Sequence, residues 1–208
     1  MEIGSIDQVM ALAPVIPVLV IEDAADARPV AEALVRGGIR ALEVTLRTPA
    51  ALEVIAEMAK VEGAVVGAGT VLNAGQLHAA AAVCARFIVS PGLTEPLAQA
   101  AIDRNIPFLP GVSDAADIMR GLDLGLDHFK FFPAEASGGI AALKALAGPF
   151  FQCRFCPTGG INATTAPAWL ALPSVACVGG SWLVPAGRPE VHTIERLARE
   201  AAMLRPTG

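Results

Sequence analysis

Along the 208 residues, short apolar runs rich in β-branched side chains alternate with alanine-rich stretches whose apolar positions recur at helical spacing. The runs predict strands at 15–21, 41–46, 64–70, 86–90, 107–112, 128–133, 155–159 and 175–180. The intervening stretches predict helices at 24–36, 49–61, 74–84, 95–104, 114–121, 139–146, 164–170 and 190–204. Each strand is followed by a helix, and no linker or change of composition divides the series. That pattern predicts one domain on a parallel sheet.

Eight such units close most simply into a (β/α)8 TIM barrel, compact beside the ~250 residues typical of that architecture. An open doubly wound sheet competes, but the first strand-to-helix turn, VIEDAADA, lacks the glycine-rich fingerprint that binds dinucleotides. Reactive groups in a barrel stand at the C-terminal strand ends. Here those ends read EVTLRT, GAGTV, SPGL, PGVS, FKFFPAE, PTGGI and GGSW, crowded with glycine, proline, serine and threonine. Chemistry is therefore expected on that face.

Strand parity sorts the candidates, because residues two apart share a face. In ALEVTLR the apolar Leu42, Val44 and Leu46 suit packing against helices, which turns Glu43, Thr45 and Arg47 inward. An inward carboxylate is costly unless paired or used; the alternatives are a buried Glu–Arg or Glu–Lys pair and a catalytic acid. In HFKFFP the same rule turns Phe129 and Phe131 outward and His128, Lys130 and Phe132 inward. Desolvation disfavours an ammonium there, and a neutral lysine amine is a nucleophile toward ketones. Lys60 and Lys144, the other two lysines, fall in helical stretches. The plainer reading of Lys130 is a side chain that snorkels upward or pairs with Glu43.

Two glycine pairs, Gly159–Gly160 and Gly179–Gly180, fall where barrels commonly bind phosphate, and Ser181 adds a hydroxyl. Thr70 and Pro91, at the third and fourth strand ends, could serve a substrate or merely shape turns. A phosphate-binding barrel isomerase or metal-dependent lyase would share the glycine loops without needing an interior lysine. A non-catalytic sugar-phosphate binder would leave the placement of Lys130, Glu43 and Arg47 unexplained.

Composition narrows this picture without redirecting it. Hydrophobic residues make up 54% and charged ones 17%, so the chain can bury a large core. A net charge of −5 and the lack of any basic block argue against nucleic-acid binding. No apolar run approaches ~18 residues, so no membrane span is expected. The opening segment has acids rather than a basic n-region, and a cytoplasmic protein is expected. Cys153 and Cys156 have the spacing of a redox or zinc half-site, but no second pair completes a metal set. They are read, with Cys84 and Cys177, as small hydrophobes and a spare thiol. No strand end gathers histidines and carboxylates, so neither metal nor other cofactor is expected.

EVTLRT, GAGTVLN, SPGLTEPL, FKFFPAE, RFCPTGGI and GGSWLVP, in this order across residues 15–185, closely resemble the 2-keto-3-deoxy-6-phosphogluconate (KDPG) aldolases, the family that includes 4-hydroxy-2-oxoglutarate (KHG) aldolase. The resemblance implies a cofactor-free class I aldolase of the Entner–Doudoroff pathway that splits a phosphorylated keto-sugar acid into pyruvate and glyceraldehyde 3-phosphate. Carried over by motif, Lys130 becomes the Schiff-base lysine and Glu43 the general acid and base. Arg47 and Thr70 become the carboxylate holders, Pro91 and Phe132 the pocket wall, and Thr158 a neighbour of the substrate hydroxyls. Gly159, Gly160, Gly179, Gly180 and Ser181 become the phosphate loops. The resemblance also implies a homotrimer. The galactonate epimer and unphosphorylated hydroxy-oxoglutarate are alternative substrates. Ser137 departs from the pattern, where asparagine is expected, at a point beyond the strand end.

Overall fold

The computed structural model describes residues 3–185 and 187–204. After α1 (Ile6–Met10) come β1 (Val15–Leu19), α2 (Ala27–Arg36), β2 (Ala41–Thr45), α3 (Ala51–Met58), β3 (Val65–Gly69), α4 (Ala74–Ala82), β4 (Ile88–Val89) and α5 (Glu95–Asp103). The second half continues with β5 (Phe108–Leu109), β6 (Gly111–Val112), α6 (Ala115–Asp123), β7 (His128–Phe131), α7 (Gly139–Ala147), β8 (Arg154–Phe155), α8 (Ala166–Leu170), β9 (Val178–Gly180) and α9 (Val191–Ala202). Every expected strand and helix overlaps an observed one. Caps sharpen several boundaries: the side chains of Asn73 and Asp114 accept the backbone N–H groups of Gln76 and Asp117, where α4 and α6 begin.

The expected strand 107–112 is broken at Pro110, which has no N–H to give a ladder. Its halves belong to different sheets. Six parallel strands form a curled half-barrel in the order β5-β4-β3-β2-β1-β9, and β6-β7-β8 form a second parallel sheet. At one seam the Pro110 carbonyl accepts from Lys130 N at 2.8 Å. At the other, single bridges join Phe155 to Val175 and Thr158 to Gly179.

Alternation along the strands divides the core in two. Leu42, Val44, Val66, Ala68, Phe129 and Phe131 face the helices. Ile16, Ala41, Val65, Phe87, Leu109 and Cys156 face inward, where Val9 and Met10 of α1 join them. Burying such side chains contributes about 1.5–3 kcal/mol apiece. The spacing of apolar residues does not announce α1, which has one turn and a half. Ser5 caps it, accepting from Gln8 N at 3.3 Å. His128, at the start of β7, holds it from below, with Nε2 3.3 Å from Asp7 Oδ1. The strand beginnings are thus closed by α1, leaving the opposite ends for a site.

Candidate active site

Glu43 and Lys130 are 87 residues apart in sequence and meet inside the curl of strands, where Lys130 Nζ donates to Glu43 Oε1 at 3.2 Å. Glu43 is 3% exposed and Lys130 6%. Burial on this scale is costly for either charge alone and tolerable for a hydrogen-bonded pair. Both inward assignments from strand parity hold, and the pair is Glu–Lys rather than Glu–Arg.

Two glycines make the pair possible. In the parallel register Glu43 lies beside Gly67 and Thr45 beside Gly69. A β-carbon at Gly69 would lie 2.2 Å from Glu43 Oε1, so the missing side chain is the space that the carboxylate occupies. A β-carbon at Gly67 would strike the Phe87 ring at 2.4 Å. The sequence shows glycines crowding the strand ends but not their role as clearance for a side chain of the next strand. Thr45, on the same face, spends its hydroxyl on Leu19 O at 2.8 Å and is a structural residue here.

One step above Lys130 on the same face, Phe132 places its ring centroid 5.3 Å from Nζ, close enough for a cation–π contact. Phe132 also lines a cavity of about 280 Å³ together with Arg47, Thr158, Val18, Val20 and the two glycine loops. Eight of the twelve residues singled out from sequence meet on that cavity: Arg47, Phe132, Thr158, Gly159, Gly160, Gly179, Gly180 and Ser181. Lys130 and Glu43 lie in the strands below. Thr70 and Pro91 follow β3 and β4 on the same end of the molecule, outside the walls of this cavity. Thr70 has φ 56°, in the left-handed region, where a β-branched residue costs of order 1–3 kcal/mol and where functional residues concentrate. Ser90, beside Pro91, uses its hydroxyl within its own turn, on Gly92 O at 2.5 Å.

The glycine loops differ in why they need glycine. Gly159 and Gly160 have φ of 106° and 80°, which L side chains rarely adopt. Gly179 and Gly180 are set by close approach: added β-carbons would lie 2.2 Å from Thr158 Oγ1 and 1.8 Å from the Trp182 ring. Thr158 is buried, its hydroxyl donating to Cys156 O at 3.3 Å.

A wider cavity, about 790 Å³, shares Val18, Val20 and Ser181 with the smaller one and opens toward Glu22, Asp23, Asp26 and Arg188. It lacks Arg47 and Phe132, so the smaller cavity is the one next to the reactive pair. The sequence reading missed Val18 and Val20. Parity with inward Ile16 would have found them, since both stand on the same face of the first strand.

The cysteine spacing resolves physically. Cys153 packs with the helix-facing core and Cys156 with the inner one, so the two thiols point apart and form no redox pair. Cys156 instead neighbours Cys177. The hydrogen bond from Cys156, followed by burial, holds the Cys177 thiol well above its usual range. Burial, then the Asp127 charge, raises Cys153. Among the described residues no cluster of three or more His, Cys, Asp or Glu could hold a metal ion. No helix among them is long and apolar enough to cross a membrane.

Comparison with known proteins adds to this geometry. Residues 6–197 match the aldolase family described as KDPG and KHG aldolase. A 2-dehydro-3-deoxy-phosphogluconate aldolase of Zymomonas mobilis is 63% identical over 197 residues, 95% of each chain. The crystal structure of the Z. mobilis 2-keto-3-deoxy-6-phosphogluconate aldolase with 3-phosphoglycerate superposes with a TM-score of 0.96, at 61% identity over 97% of each chain. The KDPG aldolase of Legionella pneumophila, with pyruvate captured as a covalent carbinolamine intermediate, gives 0.92 at 48% identity, over 95% of this chain and 98% of that one.

Proposed function

The chain belongs to the KDPG and KHG aldolase family, and from that membership we propose that it is a class I aldolase whose Lys130 forms a Schiff base with the C2 ketone of 2-dehydro-3-deoxy-6-phosphogluconate. It is a carbon–carbon lyase, and its products are pyruvate and D-glyceraldehyde 3-phosphate. The observation that carries this reading is the buried 3.2 Å contact between Lys130 Nζ and Glu43 Oε1.

That distance lies within reach of direct proton transfer. The ammonium gives a proton to Glu43, and the free amine attacks C2. Glu43 returns the proton to the carbinolamine hydroxyl, which leaves as water, and a protonated imine remains. Glu43 then takes the proton of the C4 hydroxyl while the C3–C4 bonding pair flows into the imine. Glyceraldehyde 3-phosphate departs. Protonation of the enamine at C3 and hydrolysis of the imine release pyruvate and regenerate Lys130. Acid–base catalysis of this kind contributes about 10²–10⁴-fold.

Arg47 and Thr70 hold the substrate carboxylate, Arg47 as a two-pronged donor that fixes the ketone over Lys130. Phe132 lines the pocket within the smaller cavity and Pro91 lines it beyond that cavity, past the end of β4, while Thr158 meets the hydroxyls of the carbon chain. The loops at Gly159, Gly160, Gly179, Gly180 and Ser181 take the phosphate, whose binding energy orients the distant scissile bond. The shared cavity of Arg47, Phe132, Thr158 and both loops supports this assignment. The same reading closes the two sheets into one single-domain (β/α)8 barrel, with β5 and β6 as halves of one strand; the hydrogen bonds at both seams support it. Family likeness supports a cytoplasmic homotrimer.

Pyruvate release from the phosphogluconate substrate, its galactonate epimer and 4-hydroxy-2-oxoglutarate tests the proposal. The highest kcat/KM is expected for the phosphogluconate substrate. A preference for the epimer would overturn the assignment at C4, and no pyruvate from any of the three would overturn the aldolase reading.

A further inference from the structure

Glu135 lies beside the glycine loop after β8, and neither the motif reading nor the reaction gives it a task. Three contacts tie it to that loop. Its backbone N–H donates to Gly159 O at 3.2 Å, next to the Ala134 N to Thr158 O bond of 2.8 Å. Its side-chain stem lies so close to Gly160 that a β-carbon there would be 2.6 Å from Glu135 Cγ. Its carboxylate Oε1 accepts from Trp169 Nε1 of α8 at 3.0 Å. Trp169 is fully buried, with its ring centroid 6.3 Å from that of Phe131, the residue after Lys130.

A carboxylate next to a phosphate site repels the anion, so attraction cannot be what Glu135 supplies. Its contribution is geometric. The loop follows β8, passes the bridge at Thr158, turns through two left-handed glycines and returns in α8. Glu135 grips the start of that turn through its backbone, the middle through its stem and the return through Trp169. We infer that Glu135 is a positioning residue for the substrate phosphate, holding the 159–160 loop in register with the segment that carries Lys130 by means of the Trp169 hydrogen bond. This rests on the phosphate-loop reading above.

The test compares kcat/KM for 2-dehydro-3-deoxy-6-phosphogluconate with that for unphosphorylated 4-hydroxy-2-oxoglutarate in Glu135→Ala, Glu135→Gln, Trp169→Phe and the Glu135→Ala/Trp169→Phe double variant. Circular dichroism checks each fold. Loss of one hydrogen bond of ordinary strength corresponds to about tenfold. Glu135→Ala and Trp169→Phe are each expected to raise KM for the phosphorylated substrate by about that factor, with a smaller loss on the unphosphorylated one. The double variant is expected to add little, as coupled partners do. Glu135→Gln, which keeps an oxygen acceptor for the indole, is expected to restore the native ratio. An unchanged ratio in Glu135→Ala, with only a lower melting temperature, would reduce Glu135 to a partner for a buried indole. If Glu135→Ala does not fold, an unchanged ratio in Trp169→Phe overturns the inference equally. A native enzyme that cleaves neither substrate would instead remove the aldolase reading beneath it.

Discussion

Replacing Gly69 by alanine tests whether the position of Glu43 is set by the empty space at the end of β3. The added β-carbon would lie 2.2 Å from Glu43 Oε1, 2.6 Å from Cγ and 2.8 Å from Cδ. Non-bonded heavy atoms settle near 3.5 Å, so the carboxylate must retreat by roughly 1 Å. Such a move carries the 3.2 Å contact with Lys130 past the limit of about 3.5 Å for a useful hydrogen bond. Gly69 does not have a positive φ, so alanine adds no backbone strain of its own. Misplacement of a reacting group on this scale can cost about 10²-fold in rate. Glu43→Gln, which removes the charge without filling space, sets the lower bound at a loss of about 10²–10⁴-fold. Overpacking adds about 1–3 kcal/mol of destabilisation, or roughly 2–4 °C of melting temperature per kcal/mol at this size. Gly67→Ala is the control: two residues down the same face, its nearest collisions are with the Phe87 ring, from 2.4 Å, and not with the Glu43 carboxylate. Initial rates of pyruvate release at saturating substrate, coupled to lactate dehydrogenase, are compared with thermal melts of both variants. Similar melting losses are expected, with the large fall in kcat confined to Gly69→Ala. A Gly69→Ala enzyme within about threefold of native kcat, a barrier change of under 1 kcal/mol, would show that the position of Glu43 does not depend on this space.

Gly180→Ala, whose β-carbon would lie 1.8 Å from the Trp182 ring, is expected to displace the Ser181 loop. Its KM should rise about tenfold for the phosphorylated substrate, and less for 4-hydroxy-2-oxoglutarate, in steady-state kinetics. At pH 8 a colorimetric thiol reagent is expected to modify exposed Cys84 rapidly and Cys153, Cys156 and Cys177 only after denaturation. Because Cys153 and Cys177 are raised, the native state keeps protons that unfolded thiols release above about pH 8.5. Melting temperature should therefore decline as pH climbs past that point, and less steeply in Cys177→Ala.

What the sequence made legible depended on the range of the interaction. Alternation along a strand is local, so parity in ALEVTLR and HFKFFP was enough to turn Glu43 and Lys130 inward. The succession of strands and helices likewise exposed the parallel architecture. Contacts across strands were not legible in the same way. Nothing next to Gly69 in the chain says that its missing β-carbon makes room for Glu43, which arrives from the neighbouring strand. The left-handed backbone of Thr70 contradicts the preference of its side chain and is imposed by its surroundings. The short helix α1 carries too few residues for a periodic signal, and its purpose, covering the inner core, exists only once the strands have curled. Arg47 shows the limit of parity itself: its face is inward, yet beyond the end of β2 it reaches the rim and lies exposed on the cavity wall instead of pairing with Glu43.

Every step of the reaction depends on an imine at Lys130, and reductive trapping detects that imine. Borohydride added to the enzyme with pyruvate is expected to abolish activity and to leave a single covalent adduct, which peptide mass spectrometry places on Lys130. Lys60 and Lys144, which lie outside the site, serve as internal controls. A protein that stays unmodified and active under these conditions, or one whose adduct sits on another lysine, would exclude Lys130 as the imine-forming residue.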